Sequence, residues 1–436
     1  MKKDIVKVYL LQLLTVVVSF LASIFMTRIL GSEGRGSFAI YSNASSFAVI
    51  LFGFSIASTI PYYLNFKKIS AEKIFFTSLS VLFCNLFLLI LSIGLISYFQ
   101  HTNFIIPEDK LLYKVVFVAF FLFQLVYSIL ITLLNAYKKF IWVGLLNIFN
   151  IAIPFIFYCL IYFKIFDIKQ EQDFLAVILF LLAAIIGSTG IGFYLFVRVS
   201  KFKFSFQLMS LLEAKEFILY SMLAYFGNIA TFICYKLDFW VVDAYQGKAA
   251  LGVYSLASQL TQMLWILPQT MASILYTYAA SASEKEALQY TITLKKIATL
   301  ITLVFAAIGM LLAIPLIPVL YGNEFEPTSK LLAIQIIGAI PFCIPTILAS
   351  FYASRGNFKI SFYISVFVSL ISMVLYFTFI PMWGSKGGAI ASSCTYFLGA
   401  FISEYYFCRR YQISPKDLYS FSKKDIVFVK SFFAKK

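Results

Sequence analysis

Long stretches without a charged residue recur along the 436-residue chain, separated by short polar connections. A charged side chain at the centre of a bilayer costs about 2.5–3.5 kcal/mol, and a helix needs about 17–25 mainly apolar residues to cross the hydrocarbon core. Twelve uncharged stretches reach that length, and they cover residues 8–27, 36–66, 74–107, 115–137, 140–163, 174–197, 217–235, 249–283, 297–323, 331–354, 360–385 and 387–403. The pattern predicts an all-α polytopic membrane protein with twelve transmembrane helices.

The composition agrees with a membrane protein. Hydrophobic residues make up 61% of the chain and charged residues 12%, whereas an average soluble domain carries about 25% charged residues. The mean hydropathy is +0.91. There are too few polar side chains to cover a surface that faces water. This excludes a soluble globule, a nucleic-acid-binding module and a disordered protein.

The basic residues indicate the orientation in the membrane. Of the 35 Lys and Arg residues, 25 lie in alternate connections that include both termini. Cytoplasmic loops carry the excess of Lys and Arg, so we expect both termini in the cytoplasm. The net charge of +16 then follows from topology and requires no nucleic-acid partner. Residues 411–436 mix lysines with aromatic residues, a pattern typical of a segment that lies on anionic lipid headgroups; a frayed basic tail is the alternative.

The two halves of the chain contain similar short motifs in the same order. Residues 31–42 align with 247–258 at an offset of 216, and residues 107–112 align with 327–332 at an offset of 220. Similar motifs at nearly equal offsets indicate two copies of a six-helix unit. Because six is even, both copies keep the same orientation in the membrane.

This repeat predicts four parts of the chain. One six-helix lobe spans residues 1–197 and the second spans 217–410, and the basic, amphipathic residues 198–216 link them in the cytoplasm. Residues 411–436 form the tail. A parallel repeat of this kind predicts a central cavity between the lobes.

Motifs for catalysis are scarce. The single histidine, His101, excludes a histidine-based triad or metal cluster, and no G-x-x-x-x-G-K-[ST] motif occurs. Residues 34–39 fit a loose G-x-G-x-x-A pattern, but they follow a transmembrane helix and not a strand, so a tight turn between helices explains them better. We therefore expect a transporter without a cofactor or a metal, and not an enzyme.

A few ionisable residues fall near the ends of the predicted helices, where they are functional candidates. Arg28 closes the first helix, and Lys236 and Asp238 lie late in the seventh. Because Lys236 and Asp238 point about 200° apart on a helix, they cannot both line one narrow surface. Arg28 and Lys236 either face a lumen or extend to the outer headgroups. Asp238 either faces the lumen as well or ties the seventh helix to a neighbouring helix. For Glu404 we expect that the side chain extends to the headgroups or forms a salt bridge.

Amide side chains form a second set of lumen candidates. Asn147 and Asn150 lie three residues apart on the fifth helix, and Gln259 and Gln262 repeat this spacing on the eighth. Each pair therefore shares a helix face. These amides could bind sugar hydroxyls in a wet cavity, or they could join helices at about 1 kcal/mol each.

Five motifs resemble, in the same order, those of a known transporter family. They are T-R-I-L-G-S-E-G-R-G at 27–36, K-L-D at 236–238 with the following L-G-V-Y-S-L-A at 251–257, Y-G-N-E-F-E-P at 321–327, S-R-G-N at 354–357 and G-S-K-G-G-A-I-A-S at 384–392. With twelve predicted helices, this series is similar to the polysaccharide-export branch of the multidrug/oligosaccharidyl-lipid/polysaccharide (MOP) exporter superfamily, which is typified by O-antigen flippases. The resemblance spans residues 5–410, nearly the whole chain.

The resemblance implies a V-shaped, two-lobed transporter that flips undecaprenyl-pyrophosphate-linked oligosaccharides across the bacterial inner membrane. The arginine and R-x-D positions of the family fall on Arg28, Lys236 and Asp238. This chain differs at two positions, since Ser32 replaces the usual proline and Lys236 stands where arginine is common. A lysine keeps the charge but loses the two-pronged contact that arginine makes with phosphate.

Together these observations predict an alternating-access flippase for a lipid-linked repeat unit of O-antigen, capsule or a related surface polymer. Arg28 and Lys236 would bind the pyrophosphate, and the amides of helices five and eight would contact sugar. A multidrug exporter of the same superfamily, coupled to H⁺ or Na⁺, is the main alternative. A membrane polymerase or ligase of lipid-linked sugars is less favoured, because the outer connections are short. Expected partners are membrane lipids, a polysaccharide polymerase and a chain-length protein.

Overall fold

The computed structural model describes residues 2–65, 67–98, 110–166, 173–200, 202 and 206–420. These residues form α-helices, short 3-10 helices and turns, and no strand is present among them. In chain order the α-helices are α1 (Lys2–Gly53), α2 (Ile60–Asn65), α3 (Ala71–Tyr98), α4 (Leu111–Ala136), α5 (Phe140–Tyr162), α6 (Asp173–Ser200), α7 (Leu211–Met263), α8 (Ile266–Ser281), α9 (Glu284–Tyr321), α10 (Glu326–Ser354) and α11 (Phe358–Tyr411). The predicted all-α class is confirmed.

Nine segments of the described chain are long and apolar enough to cross a membrane. Three of them, Leu10–Gly53, Leu211–Tyr276 and Phe358–Tyr411, contain 44, 66 and 54 residues, whereas about 20 residues suffice for one crossing. Each of these three segments is therefore long enough to cross twice. The nine segments then provide twelve crossings, and the predicted twelve-helix fold is confirmed.

Glycine breaks each of the three long helices. Gly31 in α1 has φ 62° and ψ −174°, Gly247 in α7 has φ 78° and ψ 180°, and Gly384 in α11 has φ 59° and ψ −140°. These backbone conformations are costly for any residue that carries a Cβ atom. Gly31 and Gly247 are also the first residues of the two aligned motifs. The two copies of the repeat therefore turn at the same residue with nearly the same backbone conformation.

The chain forms two compact units, Met1–Phe232 and Ile233–Lys436. In the first unit α1 packs on α5, and α4 packs on α6. In the second unit α10 is central. In its apolar stretch 67% of the residues are buried, whereas in the apolar stretches of the other crossing segments 17–35% are buried. The backbones of α10 and α11 approach closely at Gly338, where a Cβ atom would come within 2.6 Å of Ser393 Cα.

The predicted domain boundaries remain predictions. The predicted linker, residues 198–216, contains the end of α6 and the start of α7, and its residues 201 and 203–205 lie outside the described residues. The same holds for residues 421–436 of the predicted tail and for His101.

The first residues after α11 fold back on the second unit. Lys295 of α9 is 1% exposed, and its Nζ lies 2.5 Å from one carboxylate oxygen of Glu404 on α11. Tyr419 donates a hydrogen bond of 2.6 Å to the other oxygen, and its ring centre lies 3.5 Å from Lys295 Nζ. Burial, and next the bond to Glu404, raise the pKa of Tyr419 above its usual value, so its hydroxyl stays a donor. Glu404 thus forms the salt bridge that was one of its two expected roles.

We expect Gly247→Ala to destabilise the protein by about 1–3 kcal/mol, because alanine would have to keep a conformation that favours glycine. No atom lies within 4 Å of the added Cβ, so the cost is backbone strain and not a clash. Gly190→Ala in α6 is the matched control, because its Cβ also has open space and alanine stabilises an ordinary helix by about 0.5–1 kcal/mol. Thermal unfolding of the purified variants checks both, and equal midpoints would contradict the prediction.

Candidate functional site

Asp238, late in the first half of α7, is buried and surrounded by hydrogen-bond donors. It is 3% exposed. Its Oδ2 accepts a hydrogen bond of 2.5 Å from the hydroxyl of Tyr254 and one of 3.5 Å from Ser392 Oγ. Its Oδ1 accepts a bond of 3.0 Å from the backbone N–H of Phe239. Pairing of this kind is what allows a carboxylate to be buried.

The Asp238 network extends to a second tyrosine. Tyr376 donates a hydrogen bond of 2.6 Å to the carbonyl oxygen of Cys234, and its hydroxyl lies 3.3 Å from Ser392 Oγ. Tyr254 follows the glycine break of α7, and Tyr376 and Ser392 lie on the two sides of the glycine break of α11. The network therefore joins both halves of α7 to both halves of α11. Asp238 ties α7 to its neighbours, which was one of the two roles considered for it.

The glycine breaks of α7 and α11 are also joined directly. Gln246 Oε1 accepts hydrogen bonds from the backbone N–H of Ser385 at 2.6 Å and from its hydroxyl at 2.5 Å. A Cβ atom on Gly384 would lie 2.0 Å from Gln246 Nε2. The backbone conformation favours glycine there, and a larger residue would also have to displace the side chain of Gln246.

The side chain of Lys236 contacts an amide and an aromatic ring. Its Nζ lies 3.5 Å from Gln262 Oε1 and 4.7 Å from the ring centre of Phe239. The structure therefore brings together two of the predicted site residues, Lys236 and Gln262. Gln259, one turn earlier than Gln262, is half-buried.

An aromatic cluster lies next to Lys236 in sequence and was not predicted. Tyr235, Trp265, Phe342 and Tyr396 pack together, with Trp265 and Phe342 stacked at 4.1 Å between ring centres. Tyr235 contacts the other three rings at 5.3–5.7 Å. These residues sit in uncharged stretches rich in aromatic residues, so no sequence signal distinguished them from ordinary packing residues.

Arg28 and the neighbouring Arg35 belong to the first unit. Arg28 is exposed, and it donates a hydrogen bond of 3.3 Å to the hydroxyl of Tyr162 at the end of α5. Arg35 falls between the uncharged stretches 8–27 and 36–66, yet it is only 3% exposed and donates a hydrogen bond to the side chain of Thr27. This bond spans the break at Gly31. The position of Arg35 one turn after that glycine was the available signal.

The two asparagines of α5 also lie in the first unit. Asn147 is exposed and accepts a hydrogen bond of 2.8 Å from the hydroxyl of Tyr127 on α4. Asn150, one turn later, is half-buried. Asn147 therefore joins two helices, and its place in a lumen remains a prediction, as it does for the other site residues.

Two family models match this chain. A family model described as polysaccharide biosynthesis protein matches residues 1–279, and the MatE model matches residues 224–400. No curated protein matches the chain.

Solved transporter structures are similar over nearly their whole length. A lipid II flippase MurJ in an inward closed conformation has a TM-score of 0.73 and 16% identity, over 98% of this chain and 93% of that chain. An inward-facing multidrug resistance MATE family transporter has a TM-score of 0.69 and 13% identity, over 91% and 94%. A MOP superfamily transporter from Pyrococcus furiosus has a TM-score of 0.63 and 14% identity, over 94% and 95%.

The twelve crossings and these similarities give the chain the fold of the MOP superfamily transporters. The chain belongs to the polysaccharide biosynthesis protein family, whose model covers more than half of its length.

We expect Tyr254→Phe to lower the free energy of unfolding by about 1–3 kcal/mol, because it removes a donor from the buried carboxylate of Asp238. Tyr352→Phe is the matched control in the same unit. Tyr352 is 1% exposed, and its hydroxyl has no hydrogen-bond partner among the described residues. Removal of this hydroxyl should leave the free energy of unfolding unchanged or raise it slightly. Thermal unfolding of both variants tests this, and equal losses would show that Tyr254 contributes by packing alone.

Proposed function

We propose that the protein is a flippase that moves undecaprenyl-pyrophosphate-linked oligosaccharides from the cytoplasmic to the outer face of the bacterial inner membrane. The substrate would supply a surface polymer such as O-antigen or capsule. A polymerase and a chain-length protein would act on the translocated repeat unit. The match to the polysaccharide biosynthesis family supports this proposal.

The observation that carries the proposal is the state of the interior acids. A cation-coupled drug exporter, which the MATE similarity also suggests, needs a carboxylate that can bind its ion or drug. Asp238 accepts hydrogen bonds from Tyr254, Ser392 and its neighbouring backbone N–H. Glu404 is bound by Lys295 and Tyr419. Both acids are therefore engaged in holding helices together, which favours the flippase.

The cationic side chains suit an anionic head group. Arg28 is positioned by the phenol of Tyr162, and Lys236 by the amide of Gln262 and the ring of Phe239. A pyrophosphate that enters a low-dielectric site must exchange its hydration shell for cations or donors. In the proposed mechanism Arg28 and Lys236 provide these contacts, and the nearby amides contact the first sugars.

The decisive experiment is deletion of the gene, followed by analysis of undecaprenyl-linked sugars on each membrane face. Complete repeat units on the cytoplasmic leaflet, together with loss of surface polymer, would support the flippase. Unchanged lipid-linked sugars with new sensitivity to cationic drugs would instead indicate a drug exporter. Repeat units stranded on the outer leaflet would indicate a polymerase or ligase.

In the complemented deletion strain, we expect Arg28→Ala to reduce surface polymer about 10- to 100-fold, the loss expected when a charge-assisted contact is removed. The amount of protein in the membrane should not change, and Arg28→Lys should restore part of the polymer.

Arg410→Ala is the matched control for Arg28→Ala. Arg410 is also exposed, donates a hydrogen bond of 2.9 Å to the hydroxyl of Tyr406 and lies 5.9 Å from the ring centre of Tyr411. Arg28 lies 5.9 Å from the ring centre of Tyr162. Normal polymer with Arg28→Ala would remove Arg28 from the mechanism.

A further inference from the structure

A cavity of about 180 Å³ lies within the first unit, between α1, α3, α4 and the first half of α7. It forms where α1 ends at Gly53. The next residues, Phe54 and Ser55, have φ 46° and 51°, and a 3-10 helix, Ile56–Thr59, follows. Non-helical backbone at membrane depth is tolerated where it is buried in protein or lines a cavity.

Protein groups satisfy the backbone at this break. Asn85 Nδ2 donates a hydrogen bond of 2.5 Å to the carbonyl oxygen of Phe52. The backbone N–H of Ser58 donates a hydrogen bond of 2.9 Å to the carbonyl oxygen of Ser55. Asn228 Nδ2 donates a bond of 3.0 Å to Ser55 Oγ. The amide oxygens of Asn85 and Asn228 take part in none of these bonds, so they can accept from a ligand.

Ser78 of α3 is one of the residues that line the cavity, and its buried hydroxyl lacks a partner. It is 1% exposed, and its Oγ has no hydrogen bond among the described residues. Serines in helices commonly bond to the preceding turn, as Ser80 does to the carbonyl of Phe76 at 3.0 Å. A buried hydroxyl without a partner is costly. A ligand in the cavity that reached Ser78 Oγ would supply the missing bond.

The lining selects the chemistry of the ligand. The cavity is lined by aliphatic side chains, serines, asparagines, a glycine and a phenylalanine, and no lining residue carries a charge. A phosphate would find no cation there. A bare sodium ion would be far too small, since a cavity of about 150 Å³ already admits a benzene ring. Ser58 and Asn228 are exposed, so a ligand can enter beside them.

We infer that this cavity binds one uncharged hexose ring. Ser78, Asn85 and Asn228 bond to its hydroxyls, and aliphatic walls such as Val81 and Leu125 pack on its C–H face. This inference rests on the proposed function, in which the hexose is one sugar of the head group. It places that sugar inside the first unit, apart from the pyrophosphate and on the side predicted to face the cytoplasm.

The test uses the full chain in lipid nanodiscs, free of sugar-based detergent. Thermal unfolding is followed while methyl α-glucoside, methyl α-galactoside or N-acetylglucosamine is titrated, with sorbitol as an acyclic polyol control. At least one hexose should raise the midpoint in a saturable way, and sorbitol should not. Ser78→Ala should weaken the apparent affinity about tenfold, the loss expected for one hydrogen bond. Its stability without sugar should be unchanged or higher.

Ser188→Ala is the matched control. Ser188 of α6 is 0% exposed and its hydroxyl also lacks a partner, but it does not line the cavity. This variant should keep the sugar response of the wild type. Loss of the response in both variants, an equal effect of sorbitol, or no response to any hexose would overturn the inference. The inference would also be overturned if NaCl, compared with choline chloride, raised the midpoint, Ser78→Ala abolished that rise, and no hexose had an effect.

Failure of the site and failure of the proposed function are distinguishable. If the gene deletion strands repeat units in the cytoplasmic leaflet but no hexose binds, the flippase stands and the sugar site does not. If hexoses bind through Ser78 but the deletion leaves lipid-linked sugars unchanged, the site stands and the flippase does not.

Discussion

A backbone N–H or carbonyl group that lacks a partner in the hydrocarbon core costs several kcal/mol, and the whole chain is organised to avoid that cost. Helices satisfy these groups internally, so interruptions occur at a few positions. At three of those described above a side chain bonds the freed backbone or closes the turn: Asn85 bonds the carbonyl of Phe52, Gln246 bonds the N–H of Ser385, and Arg35 reaches Thr27 across a glycine. Some of the polar residues of this protein thus act where helices break.

The interior carboxylates are also satisfied by protein groups. Asp238 and Glu404 both have their carboxylate oxygens engaged, one by neutral hydroxyls and a backbone N–H, the other by a lysine and a tyrosine. Each acid joins helices that are distant in sequence. In the proposed transport cycle such ties would let the joined helices move as one body, while basic and neutral polar groups handle the substrate.

The number of crossings could be predicted because the cost of a charge in lipid is a property of one residue and needs no partner. The glycine turns could be aligned because both copies of the repeat need the same backbone conformation. Partners of the candidate residues could not be predicted. Tyr254 and Ser392 lie in uncharged stretches, and their contact with Asp238 depends on how four helical segments meet. Arg35 lies outside the predicted crossing stretches, and its burial and its hydrogen bond to Thr27 depend on the turn at Gly31.

The contact of Tyr419 with Lys295 has a consequence for synthesis of the chain. Lys295 lies more than a hundred residues before Tyr419, and Leu418 is part of the buried cluster around it. During translation α9 would leave the ribosome well before the residues that cover its ammonium group. Until then that charge has to stay in contact with water or headgroups. The part of the second unit that contains Lys295 can therefore reach its final packing only after the last helix has inserted. The residues that follow this helix are then the last to pack on the unit.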